Sequence, residues 1–109
     1  MLKVFQVKKG DQFSFIVNFK NLNQDLSSLD FGLKVDYTDP MLVLKTLDDG
    51  VTQIDTTHYA VSFTPEDTSG LEVGMYIFDL RYTIGDTPKT PVSGYLIIND
   101  TVFNEQEGE

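Results

Sequence analysis

The sequence contains no cysteine and no tryptophan. Without cysteine there is no disulfide, no thiolate zinc site and no thiol nucleophile, so the fold must hold by burial and backbone hydrogen bonding. The single histidine, His58, cannot build a zinc site without other soft ligands, and neither H-x-x-x-H nor H-E-x-x-H occurs. There is no G-x-S-x-G to raise a serine nucleophile, and no G-x-G-x-x-G or G-K-[ST] to cradle phosphate. No apolar run approaches the roughly 20 residues that span a bilayer. The start, MLKVFQVKKGD, is too short and too broken in its apolar run for a signal peptide. The chain is therefore expected to be used without Sec export or to be a piece of something longer. Basic residues are scarce: 8 Lys and Arg stand against 17 Asp and Glu, for a net charge of −9 and a pI near 4.3. Phosphate backbones and anionic membranes call for clustered cations, and only Lys8 and Lys9 are adjacent, so neither nucleic acid nor membrane is an expected partner. The acidity reads as solubility. Nowhere does the i, i+3, i+4 repeat of a long helix appear.

What is present is alternation. Phe13, Phe15, Val17 and Phe19 interleave with Ser14, Ile16, Asn18 and Lys20. Three phenylalanines on one strand face need a second layer to cover them. Leu2 to Val7 reads as a first strand, with Leu2, Val4 and Gln6 on one side and Lys3, Phe5 and Val7 on the other. Asp30 to Tyr37 places Phe31, Leu33, Val35 and Tyr37 inward, after a loop pinned by Leu26 and Leu29. Met41 to Leu47 is nearly continuously apolar, and Asp48-Asp49-Gly50 is a hairpin signal. Tyr59, Val61 and Phe63 alternate again. Thr64-Pro65-Glu66-Asp67 is a helix start, with a capping hydroxyl, a proline where no amide partner exists, and two acids at the favourable dipole end. Gly70 and Gly74 bracket a reversal that drops one apolar residue inward. Tyr76, Phe78, Leu80 and Tyr82 then face opposite to Ile77, Asp79, Arg81 and Thr83. After a turn at Ile84 to Lys89, the last strand runs from Thr90 to Asn99, with Val92, Leu96 and Ile98 on one side and Ser93, Tyr95 and Ile97 on the other.

Turn signals every 8–12 residues or so between about seven short strands predict an all-β, immunoglobulin-like antiparallel sandwich with a short helical turn near residues 65–70. A closed barrel is the alternative. One domain is expected over residues 1–100, followed by an acidic, flexible tail over 101–109. The antibody cysteine pair and core tryptophan are missing. Tyr76 stands where the tyrosine corner of such folds belongs, although core packing explains it equally well.

Chemistry is hard to find. His58 sits on a polar strand face, where a histidine is ordinarily just solvated. Asp48, Asp49 and Asp55 fall short of an EF-hand loop, and turn chemistry accounts for the first two. No enzyme activity and no cofactor are expected. Docking is the positive alternative. Met41-Leu42-Val43-Leu44 is apolar on both faces: it is covered on both sides by the chain itself, or by a neighbouring subunit. Tyr95 and Ile97, with Phe5 and Ile16, extend such a patch. Phe103 is either part of a docking segment or an end-of-domain anchor. The candidate partner-binding residues are thus Met41, Val43, Tyr95, Ile97 and Phe103. If the domain binds sugars instead, Tyr37, Tyr59 and Tyr95 are the rings to stack on them.

Three stretches carry a resemblance: KKGDQFSF at 8–15, DLSSLDFGLKV at 25–35, and TPEDTSGLEVGMYIFDLRYT at 64–83, the last followed by TPVSGYLIIND at 90–100. In this order they resemble the N-terminal immunoglobulin-like domain of tailed-phage baseplate upper proteins and related small phage and prophage structural proteins. Thr64, Glu66, Thr68, Leu71, Gly74, Tyr76, Phe78, Asp79 and Leu80 all match the pattern of the corner, whereas in the opening stretch Gln12 stands where the pattern has Thr after Gly-Asp. The resemblance covers about residues 2–100. It implies a virion structural module of the tail or baseplate, assembled in the bacterial host cytoplasm. It implies no catalytic residue and no cofactor; the partners would be other virion proteins or further copies of the chain. Baseplate upper proteins continue into fibre-like regions that this chain does not carry, so it is expected to be a free-standing relative or an excised domain.

Overall fold

The computed structural model describes residues 2–20, 22 and 24–102. Eight strands and one short helix follow in the order β1 (Leu2–Lys8), β2 (Phe13–Asn18), β3 (Ser28–Lys34), β4 (Val43–Leu47), β5 (Gly50–Gln53), β6 (His58–Phe63), α1 (Pro65–Ser69), β7 (Gly74–Ile84) and β8 (Thr87–Asn99). The hydrogen-bonded order is β1-β8-β7-β3-β4-β5-β6-β2. It folds over at the β4–β5 junction into two layers. Sheet A is β1-β8-β7-β3-β4 and sheet B is β5-β6-β2, so the immunoglobulin-like sandwich is the fold. Most neighbours are antiparallel, but β1 runs parallel to β8, with Val4 opposite Tyr95 and Gln6 opposite Ile97.

The phenylalanines join the layers. Phe15 of sheet B stacks on Phe5 of sheet A at 4.6 Å, and Phe31 of sheet A meets Phe63 of sheet B edge-on at 5.3 Å. Phe31 also stacks on Phe78 at 5.1 Å. Each such pair adds about 0.5–1.5 kcal/mol beyond simple burial. Around them Leu29, Leu33, Val51, Tyr59, Val61, Leu80 and Ile98 are fully buried. Phe5 therefore belongs to the seam between the sheets, not to a surface patch, because β1 presents Phe5 and Val7 to the core and Val4 to solvent.

Several expected boundaries shift. The turn expected over Ile84 to Lys89 shrinks to Gly85 and Asp86, because β7 runs to Ile84 and β8 starts at Thr87. The strand expected over 30–37 ends at Lys34, and Val35 and Tyr37 are exposed. The chain turns there instead: the Tyr37 amide donates to Asp36 Oδ1 at 2.7 Å, and the Asp39 amide donates to the Asp36 carbonyl at 3.0 Å. Met41 and Leu42 precede β4 rather than belonging to it. Asp48-Asp49-Gly50 does not reverse the chain into a hairpin. Asp48 (φ 68°) and Gly50 (φ 99°) both adopt left-handed backbone, the chain makes a tight loop, and β5 continues in the direction of β4, with Thr46 opposite Gly50. This loop carries the chain from sheet A to sheet B.

The corner before β7 forms as its residues dictate. The Asp67 amide donates to Thr64 Oγ1 at 3.1 Å, and the Thr64 amide donates to Asp67 Oδ2 at 2.8 Å, a reciprocal capping box. Lys45 Nζ donates to the same Oδ2 at 2.7 Å and lies 5.6 Å from the centre of the Phe63 ring. Thr68, buried, donates from Oγ1 to the Asp11 carbonyl at 2.8 Å, tying the helix to the β1–β2 turn. Leu71 drops into the core. Tyr76 does form the corner bond: its hydroxyl donates to the Glu72 carbonyl at 2.6 Å.

Candidate protein-docking face

In a ladder, directly paired residues share a face and alternate residues repeat it. One row on the outside of sheet A therefore reads Val4, Tyr95, Ile77, Lys34 across β1, β8, β7 and β3, and the next reads Gln6, Ile97, Met75. On the β3–β4 side, Leu44 pairs with Gly32. A Cβ placed on Gly32 would come within 2.8 Å of Met41 Sδ, so the Met41 side chain lies across that glycine. Val4, Met75 and Leu44 are 55%, 60% and 54% exposed, which marks them as outward rather than core positions. Tyr95, Ile77 and Ile97 are half-buried on the same face. A groove of about 220 Å³ runs between Met41, Leu44 and Tyr37 on one side and Ile77, Asp79 and Arg81 on the other.

The polar groups of the face are already matched. Arg81 Nη2 donates to Asp30 Oδ2 at 3.2 Å, Ser93 Oγ donates to Asp79 Oδ1 at 2.6 Å, and Lys34 Nζ donates to the Tyr37 carbonyl at 3.2 Å. Covering them strands few unpaired groups, so the desolvation cost of docking is low.

Of the five candidate docking residues, Met41, Tyr95 and Ile97 come together on this face. Val43 does not. It packs against the core, because β4 turns Val43, Lys45 and Leu47 inward and Leu44 outward. Phe103 lies outside the described residues. Ile16, 62% exposed, sits on the opposite side of the molecule, outside sheet B. Val4, Met75 and Ile77 are the members that the sequence did not point to, whereas Leu44 belongs to the expected docking stretch Met41-Leu42-Val43-Leu44. The signal was available: each is an apolar residue standing in the alternate position to a core residue.

The other candidates are local devices. Asp55 Oδ1 accepts from His58 Nδ1 and from the Thr57 and His58 amides, each at 2.9 Å. The His58 hydrogen bond first, then the Thr57 amide, hold the Asp55 carboxyl down at about 2. The cluster closes the β5–β6 turn at the surface. Among the described residues, no group of three or more His, Asp or Glu is placed to hold a metal ion, and no helix is long and apolar enough to cross a membrane. Tyr59 is buried and accepts the Leu26 amide on its hydroxyl at 3.2 Å, so it cannot stack on a ligand, whereas Tyr37 is 66% exposed at the groove rim.

The class this geometry defines is an immunoglobulin-like β-sandwich that carries adjacent apolar rows on one outer sheet face. No known family profile and no curated protein matches the chain. Among solved structures it is similar to part of a candidate glycoside hydrolase from Bacteroides vulgatus ATCC 8482, at 14% identity and a TM-score of 0.54, over 91% of this chain. The chain spans only 17% of that protein's length. It is also similar to the ZIG-8–RIG-5 IG1–IG1 heterodimer, at 12% identity and a TM-score of 0.46, over 91% of this chain and 83% of that one.

Proposed function

We propose that the protein is a non-enzymatic assembly module that works by protein–protein contact through the outer face of sheet A. The observation that carries this reading is the run of outward apolar side chains, Val4, Tyr95, Ile77, Ile97 and Met75, across three adjacent strands of a domain whose core is already filled. Contiguous apolar surface of this kind in a small domain marks an interaction site. The resemblance of residues 8–15, 25–35, 64–83 and 90–100 to phage baseplate domains supplies the setting: a tail or baseplate of a phage or prophage virion, with other virion structural proteins as partners. The likeness to the candidate glycoside hydrolase is one of fold and carries no activity to this chain.

The test is mass spectrometry of purified virions of the encoding phage or prophage, together with retention of their dissociated tail proteins on the immobilised full chain. The expected result is that the chain is found in particles and that an Ile77→Arg variant loses retention. A chain absent from particles and retaining nothing would end this reading. A carbohydrate- or cell-surface-binding module is the second reading, favoured by the exposed Tyr37 ring beside the groove. A glycan array on which Tyr37→Ala abolishes binding would put it first.

A further inference from the structure

We infer that the partner covering the outer face of sheet A is a second copy of this chain, in an isologous dimer; this rests on the reading of that face as a docking surface. Charge is unevenly distributed over the molecule. Of the 17 acidic residues, only Asp30 and Asp79 lie within strands. Both belong to this face, and both are hydrogen-bonded there, to Arg81 and Ser93. The same face carries Lys8, Lys34 and Arg81. It is thus close to neutral, while the loops and ends carry the acidity that gives the chain its net −9. A basic partner would be drawn to those acidic loops and not to this face. Two copies of a −9 chain repel each other over most of their surface, and this face lets them meet without setting acid against acid. Its polar groups are already paired within each copy, so an isologous contact, which sets residue i against j and j against i, brings apolar row against apolar row and strands few charges.

Size sets the strength. Five strands about 4.8 Å apart, rising about 3.3 Å per residue, outline on the order of 500 Å² in projection. A standard interface buries about 800 Å² per partner. The dimer therefore belongs at the weak end, with a Kd on the order of 10–100 µM.

The test is sedimentation equilibrium of the full chain from about 1 µM to about 1 mM, a range that brackets that constant. The expected result is a monomer–dimer equilibrium that tightens as salt rises, because screening relieves the repulsion between two acidic chains. Ile77→Arg and, independently, Leu44→Arg should each weaken it by about tenfold or more. Ile16→Arg, on the other sheet, should leave it within about twofold. Leu44 and Ile16 are more than half exposed, so their variants keep the core intact. A chain monomeric throughout, a dimer that weakens with salt, or one broken by Ile16→Arg and not by Ile77→Arg would each overturn the inference. A monomer that still retains virion proteins through Ile77 overturns the second copy and leaves the assembly reading standing. A dimer with no virion partner does the reverse.

Discussion

The two sheets share one core, yet their outer faces differ. Outside sheet B, Ser14 pairs with Ser62, Ile16 with Ala60, Ala60 with Thr52, and Asn18 with His58. That is the small and polar composition expected of an antiparallel sheet with one solvated face. Outside sheet A, Val4, Tyr95, Ile77, Ile97 and Met75 stand next to one another at the corresponding positions, with the polar residues Asp30, Asp79, Arg81 and Ser93 grouped to one side. Ile16 is a single exposed apolar residue and calls for no explanation, because such residues are normal on protein surfaces. Adjacent apolar rows on sheet A do call for one. Overall composition does not separate the two cases; the register does.

The largest effect comes from the region that the sheets have in common. Phe31, 1% exposed, touches Phe15 and Phe63 of sheet B and Phe78 of sheet A. Phe31→Ala should cost about 3–5 kcal/mol in urea unfolding. Hydrogen exchange should show both sheets losing protection together. Loss confined to one sheet would mean that the two are separate cooperative units, and the comparison of their faces would lose its common reference.

Next is a feature peculiar to the sheet B end of the molecule. Asp67 holds the capping box and the Lys45 ammonium, whose side chain is only 14% exposed. Asp67→Ala should cost about 2–3 kcal/mol, by loss of a cap and stranding of a partly buried charge. Partial burial raises the Asp67 pKa, but the hydrogen bond from Lys45 and the Thr64 amide outweigh it and hold the carboxyl below its usual 3.8. The sign follows: the folded state binds this proton less readily than the unfolded chain. The stabilisation is complete above the unfolded value and is lost as pH falls through the folded one. Asp55, held at about 2 by His58 and Thr57, changes in the same direction. Acid titration of the wild type should therefore destabilise it from about pH 4 downward, and Asp67→Ala should flatten that slope. An unchanged slope would remove Asp67 from the account.

Sequence patterns worked where local chemistry decides the outcome. The capping box, the burial of Leu26, Leu29 and Leu71, and the inward set of β7 follow from cap residues, turn residues and period-2 alternation. They failed where a competing local turn or a tertiary contact overrides the alternation. Val35 and Tyr37 continue the alternation of β3, but the Asp36 side chain captures a local amide and ends the strand. Asp-Gly at 49–50 reads as a hairpin, but left-handed backbone at Asp48 as well as Gly50 keeps the chain running forward into the other sheet. The close approach of β1 to β8 has only a faint signature. A Cβ on Gly94 would collide with the Lys3 carbonyl, and a glycine inside a strand hints at such contact without naming the partner. The docking face was half legible, because Tyr95 and Ile97 stand opposite core residues in their own strand. Their union with Val4 and Ile77 needs the register of three strands.

A smaller effect tests the corner on the sheet A side. Tyr76→Phe removes the hydroxyl that donates to the Glu72 carbonyl and keeps the buried ring. The loss should be about 1 kcal/mol, the net worth of one hydrogen bond. A loss of less than about 0.3 kcal/mol would mean that water takes over the carbonyl at no cost, leaving packing as the ring's whole contribution.

The smallest effect on stability is the sharpest on the comparison itself. Met75→Lys and Ile16→Lys each place a charge at a position about 60% exposed, one outside sheet A and one outside sheet B. Both should leave unfolding free energy within about 0.5 kcal/mol of wild type, since neither touches the core. Their effect on exposed apolar surface should differ. Met75 adjoins Ile97 in the apolar rows of sheet A, so a lysine there breaks a patch and should lower the fluorescence of a bound hydrophobic dye. Ile16 is flanked by Ala60 across the strand and by Ser14 and Asn18 along it, so a lysine there breaks no patch and should leave the signal unchanged. Equal effects from the two lysines would mean that the dye, and by extension a partner, does not distinguish the faces. The register argument for sheet A would then lose its functional content while the fold stayed as described.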